Sequence, residues 1–219
     1  MSVEVKICGL KSEASIAAAL DGGADYVGFV FYPPSPRSLA VEVAAELAEL
    51  ARGRIAIVAL VVDADDAFID EIVRAVAPDF LQLHGSETPE RVAEIARRWG
   101  RPVIKAIKVE TAADAARALA YADVASLILF DAKAPKDLAG ALPGGNGLAF
   151  DWHLLDGVKD RVSFMLSGGL TPENVGAAIA ATGATIVDVS SGIETSPGVK
   201  SPDLIRRFID AARAVHAPA

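Results

Sequence analysis

Eight short apolar runs, separated by Ala-rich segments with helical spacing, constrain this chain more than any other feature. The runs begin near Val3, Tyr26, Ile55, Phe80, Val103, Ser126, Ser163 and Ile186. Between them, sets such as Ile16/Ala19/Leu20, Leu47/Leu50/Ala51, Ile69/Ile72/Val73/Val76 and Val92/Ile95/Ala96/Trp99 fall on one face of a helix. Ser12 and Thr88 stand where helix N-caps belong, the latter followed by Pro89-Glu90, and Gly22-Gly23, Gly53 and Gly100 follow helix ends. Strands that are apolar throughout and bounded by helices belong to a parallel sheet covered on both faces. Eight such units in 219 residues predict an α/β fold, a compact (β/α)8 TIM barrel formed by residues 1–219 as a single domain. The alternative, an open doubly wound sheet, more often has about five to seven strands.

Composition narrows the class. The mean hydropathy of +0.36 is high, yet the longest obvious apolar run, Ile55–Val62, suits a buried strand and falls far short of a membrane span. The N-terminus reaches Gly9 and Lys11 with no apolar h-region, so no signal peptide is expected. A single Cys rules out an internal disulfide and a Cys-based metal cluster, and a cytoplasmic location is expected. The net charge of −8 argues against nucleic acid or an anionic membrane as a partner. The three His residues, 84, 153 and 216, are scattered with no carboxylate at metal-ligand spacing, so no metal site is expected. With no obvious exposed apolar patch on the acidic, Ala-rich helix faces, a monomer is the expected state and a homodimer the alternative.

Chemistry concentrates at the strand ends. Phe164-Met165-Leu166 runs into Ser167-Gly168-Gly169, after which Thr171-Pro172-Glu173 is expected to open a helix, and Ile186–Val189 runs into Ser190-Ser191-Gly192. Glycine lets backbone N–H groups approach a ligand, and a helix N-terminus adds unpaired donors. One such loop alone reads as a connector; two closing the last two units predict a shared phosphate site. The remaining strand ends supply Cys8, Arg37, Asp63, His84, Lys108 and Asp131. Cys8 is either a small buried hydrophobe or a thiol whose pKa the phosphate-binding dipoles lower, with Gly9 leaving room for a substrate. Asp131 ends a wholly apolar strand and is either a general acid with a raised pKa or a loop-starting Asp bonded to nearby backbone. Arg37 follows the proline-stiffened loop Pro33-Pro34-Ser35-Pro36 and suits a carboxylate, or else is a solvated loop residue. His84 is a candidate pocket residue. Ala132–Ala149, rich in Gly, Pro and Lys, reads as a mobile active-site loop. Its Gly144-Gly145-Asn146-Gly147 run is neither a P-loop nor a dinucleotide fingerprint.

Taken together, Lys6-Ile7-Cys8-Gly9-Leu10, Pro34-Ser35-Pro36-Arg37, Leu81-Gln82-Leu83-His84-Gly85, Leu129-Phe130-Asp131, Leu166–Leu170, Asn174-Val175, Asp188–Glu194 and Gly198-Val199-Lys200 span the chain end to end. In order and spacing they resemble the phosphoribosylanthranilate isomerase family. The resemblance implies a one-domain (β/α)8 barrel of tryptophan biosynthesis. Such a barrel converts N-(5-phosphoribosyl)anthranilate to carboxyphenylamino-deoxyribulose phosphate by an Amadori rearrangement, without a cofactor. It further implies Cys8 as general base, Asp131 as general acid and Arg37 as partner of the anthranilate carboxylate. Gly168, Gly169, Ser190, Ser191 and Gly192 would bind phosphate, with His84 beside the substrate. The family pattern Gly-x-Lys-Asp here reads Gly198-Val199-Lys200-Ser201, which leaves the partner of Lys200 unassigned. Related barrels are the runners-up: a histidine-pathway sugar isomerase, which carries Asp where Cys8 stands, and indole-glycerol-phosphate synthase, which has a Lys acid and an N-terminal extension. A non-catalytic phosphate-binding protein on the same scaffold would have no need of an acid–base pair.

Overall fold

The computed structural model of the protein describes residues 2–133 and 144–215. Eight parallel strands, β1 (Glu4–Cys8), β2 (Tyr26–Phe31), β3 (Ala56–Val61), β4 (Phe80–Leu83), β5 (Val103–Val109), β6 (Leu127–Ala132), β7 (Phe164–Leu166) and β8 (Ile186–Val189), form a closed barrel. Closure comes from β8 pairing with β1, with Lys6 in register with Asp188. Each strand begins within a residue of the predicted run.

Period-two alternation divides each strand between two environments. Outward residues such as Val5, Ile7, Val27, Phe29, Ile57 and Phe130 join the large core beneath the helices. Inward residues fill the barrel in layers: Val58, Ile104, Ala106, Leu129 and Met165 lie towards the N-terminal end, and Cys8, Val30 and Leu60 towards the C-terminal mouth.

The outer ring comprises α1 (Glu13–Asp21), α2 (Val41–Ala51), α3 (Asp66–Val76), α4 (Pro89–Trp99), α5 (Ala112–Ala116), α6 (Val175–Thr182) and α7 (Pro202–Arg213). The predicted caps form: the Ser12 hydroxyl accepts from the Ser15 N–H in a capping box, and Thr88 accepts from the Arg91 N–H. Leu50 departs from its predicted buried face and is 42% exposed, while Leu47 and Ala51 are buried.

Three units differ from a regular strand-helix repeat. After β5, α5 continues as a 3-10 helix, Arg117–Tyr121, and a 3-10 turn, Trp152–Leu155, precedes β7. After β8 the chain makes a 3-10 turn, Ser191–Ile193, and a small hairpin, β9 (Glu194–Ser196) with β10 (Val199–Lys200), before α7. The helix predicted to open at Thr171 starts instead at Val175. Short-range bonds take the intervening residues: the Asn174 side chain accepts from the Thr171 N–H, and the Thr171 hydroxyl accepts from the Glu173 N–H. No helix among the described residues is long and apolar enough to cross a membrane.

Candidate active site

A cleft opens at the C-terminal mouth of the barrel, with about 720 Å³ of free space counted together with the solvent at its entrance. Cys8, Val30 and Leu60 line it from the barrel interior, Gln82, His84 and Asp131 from β4 and β6, and Gly168, Gly169, Ser190 and Ser191 from the turns after β7 and β8. Arg37 completes the rim, with Gly144, Gly145, Asn146 and Leu148 from the described end of the predicted loop. The rest of that loop, residues 134–143, and His216 lie outside the described residues. Asp63 and Lys108 do not line the cavity. The Asp63 carboxylate instead accepts from the Ser86 N–H at 2.7 Å.

Gly192 stands behind the lining rather than in it. A Cβ there would overlap the carbonyl oxygen of Leu170, so glycine is what lets the turns after β7 and β8 touch. Gly168, at φ +88°, passes close to the Asp131 carboxylate and the Ala132 N–H.

Cys8 is 4% exposed, at the end of β1. A lowered pKa, one of the two readings open for Cys8, is not what its surroundings favour. Burial pushes the thiol up, and this outweighs the opposing pull of the Lys6 ammonium; the Asp188 carboxylate pushes the same way as burial. Lys6 lies two residues earlier on the same inward face, fully buried, and donates to Asp188 Oδ1 at 2.7 Å. Burial would lower the Lys6 pKa, but Asp188 and Cys8 overcome it and hold the ammonium above its ordinary range. Ser167 donates to the second Asp188 oxygen at 2.9 Å. Gly28 makes room for this group, since a Cβ there would lie 3.0 Å from Cys8 Sγ and 3.2 Å from Lys6 Nζ.

Asp131 is 5% exposed, and Oδ1 accepts from the Ala132 N–H at 2.9 Å while Oδ2 lies 3.2 Å from His84 Nε2. On the short way round the ring, only β7 and β8 separate β6 from β1. Asp131 and Cys8 therefore address one cavity from different sides.

Arg37 is buried, not solvated. Its Nε and Nη2 form a two-pronged pair with Glu194 at 2.8 and 2.9 Å, and Nη2 also donates to the Gly145 carbonyl at 3.1 Å. The space expected above Gly9 is filled by the Arg37 stem, whose Cδ lies 2.9 Å from where a Cβ would stand. Glu194 also accepts from Lys200 Nζ at 2.8 Å, and Lys200 donates to the Ser190 carbonyl at the same distance. Burial, opposed by Glu194, lowers the Lys200 pKa. Lys200 thus finds its partner in Glu194, while Ser201 caps α7 by accepting from the Leu204 N–H.

Lys6, Gln82, Asp188 and Glu194 escaped the reading of strand ends. Lys6 and Gln82 carried one usable signal: each sits two residues before a candidate, Cys8 or His84, and so shares its inward face.

A family profile described as "PRAI: N-(5'phosphoribosyl)anthranilate (PRA) isomerase" matches residues 5–211. The chain is 55% identical over 213 residues to the N-(5'-phosphoribosyl)anthranilate isomerase of Parvibaculum lavamentivorans, covering 97% of this chain and 99% of that one. Phosphoribosyl anthranilate isomerase from Thermotoga maritima superposes with a TM-score of 0.87 at 38% identity, covering 97% of this chain and all (100%) of that one. A second solved isomerase, in complex with reduced 1-(o-carboxyphenylamino)-1-deoxyribulose 5-phosphate, superposes with a TM-score of 0.84 at 36% identity, with the same coverage. The chain therefore belongs to the N-(5'-phosphoribosyl)anthranilate isomerase family.

Proposed function

We propose that this barrel, acting as one domain without a cofactor, converts N-(5'-phosphoribosyl)anthranilate to 1-(2-carboxyphenylamino)-1-deoxyribulose 5-phosphate in tryptophan biosynthesis. Cys8 and Asp131 carry the proposal, because they face a single cavity from β1 and β6, with anion-binding chemistry around its rim. Asp131 gives its proton to the furanose ring oxygen as the C1′–O bond breaks, leaving a protonated Schiff base. Cys8, as thiolate, takes the C2′ proton, and the resulting enolamine tautomerises to the ketone. Burial favours the thiol form of Cys8, so its proton passes to solvent through the cavity mouth before the thiolate takes the one from C2′. Lys6 and Lys200 favour its ionised form, and the cationic Schiff base formed on ring opening adds positive charge beside it. Each proton-transfer group is typically worth about 10²–10⁴-fold in rate.

The turns carrying Gly168, Gly169, Ser190 and Ser191, with Gly192 behind them, hold the phosphate. Their donors come from turns, since α6 begins at Val175. Arg37 takes the anthranilate carboxylate, with Glu194 fixing the plane of its guanidinium, and His84 borders the sugar beside Asp131. Together the two anionic ends of the substrate set its orientation. The protein works as a cytoplasmic monomer, consistent with only Val43, Leu50 and Val199 as exposed large apolar residues among those described.

The test is a fluorescence assay in which the substrate is made in situ from anthranilate and phosphoribosyl pyrophosphate by a coupling transferase. Turnover by the wild type, lost in both Cys8→Ala and Asp131→Asn, is the expected result. No turnover by a folded wild-type protein overturns the function. Near-normal kcat in either variant overturns that residue's role.

A further inference from the structure

Gln82 is fully buried in an apolar belt, in register with Leu60 on β3 and Ile104 on β5. A buried amide in such surroundings is costly unless its polar atoms are used. Its Nε2 lies 3.1 Å from His84 Nδ1, while its Oε1 is buried with no hydrogen-bond partner among the described residues. An amide nitrogen only donates. With the amide in this orientation, His84 Nδ1 is the acceptor and the ring donates from Nε2, which lies 3.2 Å from Asp131 Oδ2. The second carboxylate oxygen already accepts from the Ala132 N–H.

We infer that Gln82 is a positioning residue: it fixes His84 as an Nε2–H donor, so that His84 and the Ala132 N–H together hold the carboxylate formed when Asp131 releases its proton. This rests on Asp131 being the general acid. Charge that appears on Asp131 as the ring opens is met by two donors already in place, with no reorganisation at the moment of reaction. The chain Gln82–His84–Asp131 also accounts for a glutamine among apolar neighbours: a Leu or Met of similar size would leave the His84 ring free to take either tautomer.

Nitrogen-15 correlation spectra of the full-length protein, with His84 assigned by a His84→Asn variant, read the tautomer directly. A neutral ring protonated on Nε2 is expected in the wild type. Protonation on Nδ1 means that the amide presents its oxygen and overturns the inference without any reference to activity. Two variants follow. Gln82→Met removes the donor and is expected to mix the tautomers and lower kcat by roughly 10–100-fold, by analogy with lost partners that orient metal-bound histidines, with KM within about twofold. Gln82→Glu offers an acceptor, and is expected to draw a proton onto Nδ1 and shift the pH profile of kcat. Unchanged tautomer and kcat in both variants overturn the inference. Asp131→Asn, measured alongside, separates the two failures. If it is inactive while the Gln82 variants behave as wild type, only the role of Gln82 falls; if it is active, the acid assignment itself falls.

Discussion

Replacing Lys6 with Met is expected to destabilise the protein sharply. The Lys6 side chain is fully buried and Asp188 is only 6% exposed, so solvent screens their 2.7 Å contact very little. Removing the ammonium leaves the Asp188 carboxylate inside the barrel without its charged partner, the Ser167 hydroxyl still donating to its other oxygen. Breaking a buried pair by deleting one partner typically costs about 3–5 kcal/mol. For a chain of this size each kcal/mol moves Tm by roughly 2–4 °C. The expected fall is therefore on the order of 6–20 °C, with the urea midpoint moving down in parallel. Replacing both partners, Lys6→Met with Asp188→Asn, removes the stranded charge and is expected to recover much of the loss, because neutral groups of similar size often substitute for a buried pair at little net cost. Urea unfolding followed by circular dichroism, for the wild type, the single variant and the double variant, measures both quantities. The reasoning is refuted if the single variant unfolds within about 1 kcal/mol of wild type, or if the double variant is as unstable as the single.

Two further outcomes follow from the geometry. Gly192→Ala places a methyl against the Leu170 carbonyl and forces apart the turns after β7 and β8, so KM for the phosphorylated substrate is expected to rise at least tenfold while Cys8 and Asp131 stay in place; steady-state kinetics that match wild type would show the turns are not a shared phosphate site. At low pH, Glu87 is a buried carboxylate outside the cavity that contributes to the loss of stability. Burial opposes its charge, but Lys105, at 2.8 Å, and the N–H groups of Asp63 and of Glu87 itself hold its pKa below the usual carboxylate value. A depressed folded pKa means that this stability is fully present above about pH 4.5 and is lost as pH falls through the folded value. Thermal melts from pH 7 to pH 3 should therefore slope down more steeply in wild type than in Glu87→Gln, and parallel curves would contradict the assignment.

The strand order, the caps and the positions of Cys8, Asp131 and the glycine turns were written locally in the sequence. Apolar runs of three to seven residues set between helical segments read as covered strands, and Ser12, Thr88 and Gly100 act on neighbours within a turn of helix. What surrounds the candidate residues was not legible, because it depends on pairs formed only when the barrel closes. Lys6 meets Asp188 across 182 positions, Arg37 meets Glu194 across 157, and His84 meets Asp131 across 47. Local sequence likewise left the thiol open between a small buried residue and a group of lowered pKa, and only the structure shows that burial, with Asp188 adding to it, pushes the pKa up. The sequence by itself determined which residues could do chemistry, since residue type and period-two alternation set what reaches the barrel mouth. Only the tertiary structure decided their charge states and partners, because burial and contacts between distant strands set the local dielectric and the hydrogen bonds on which proton transfer depends.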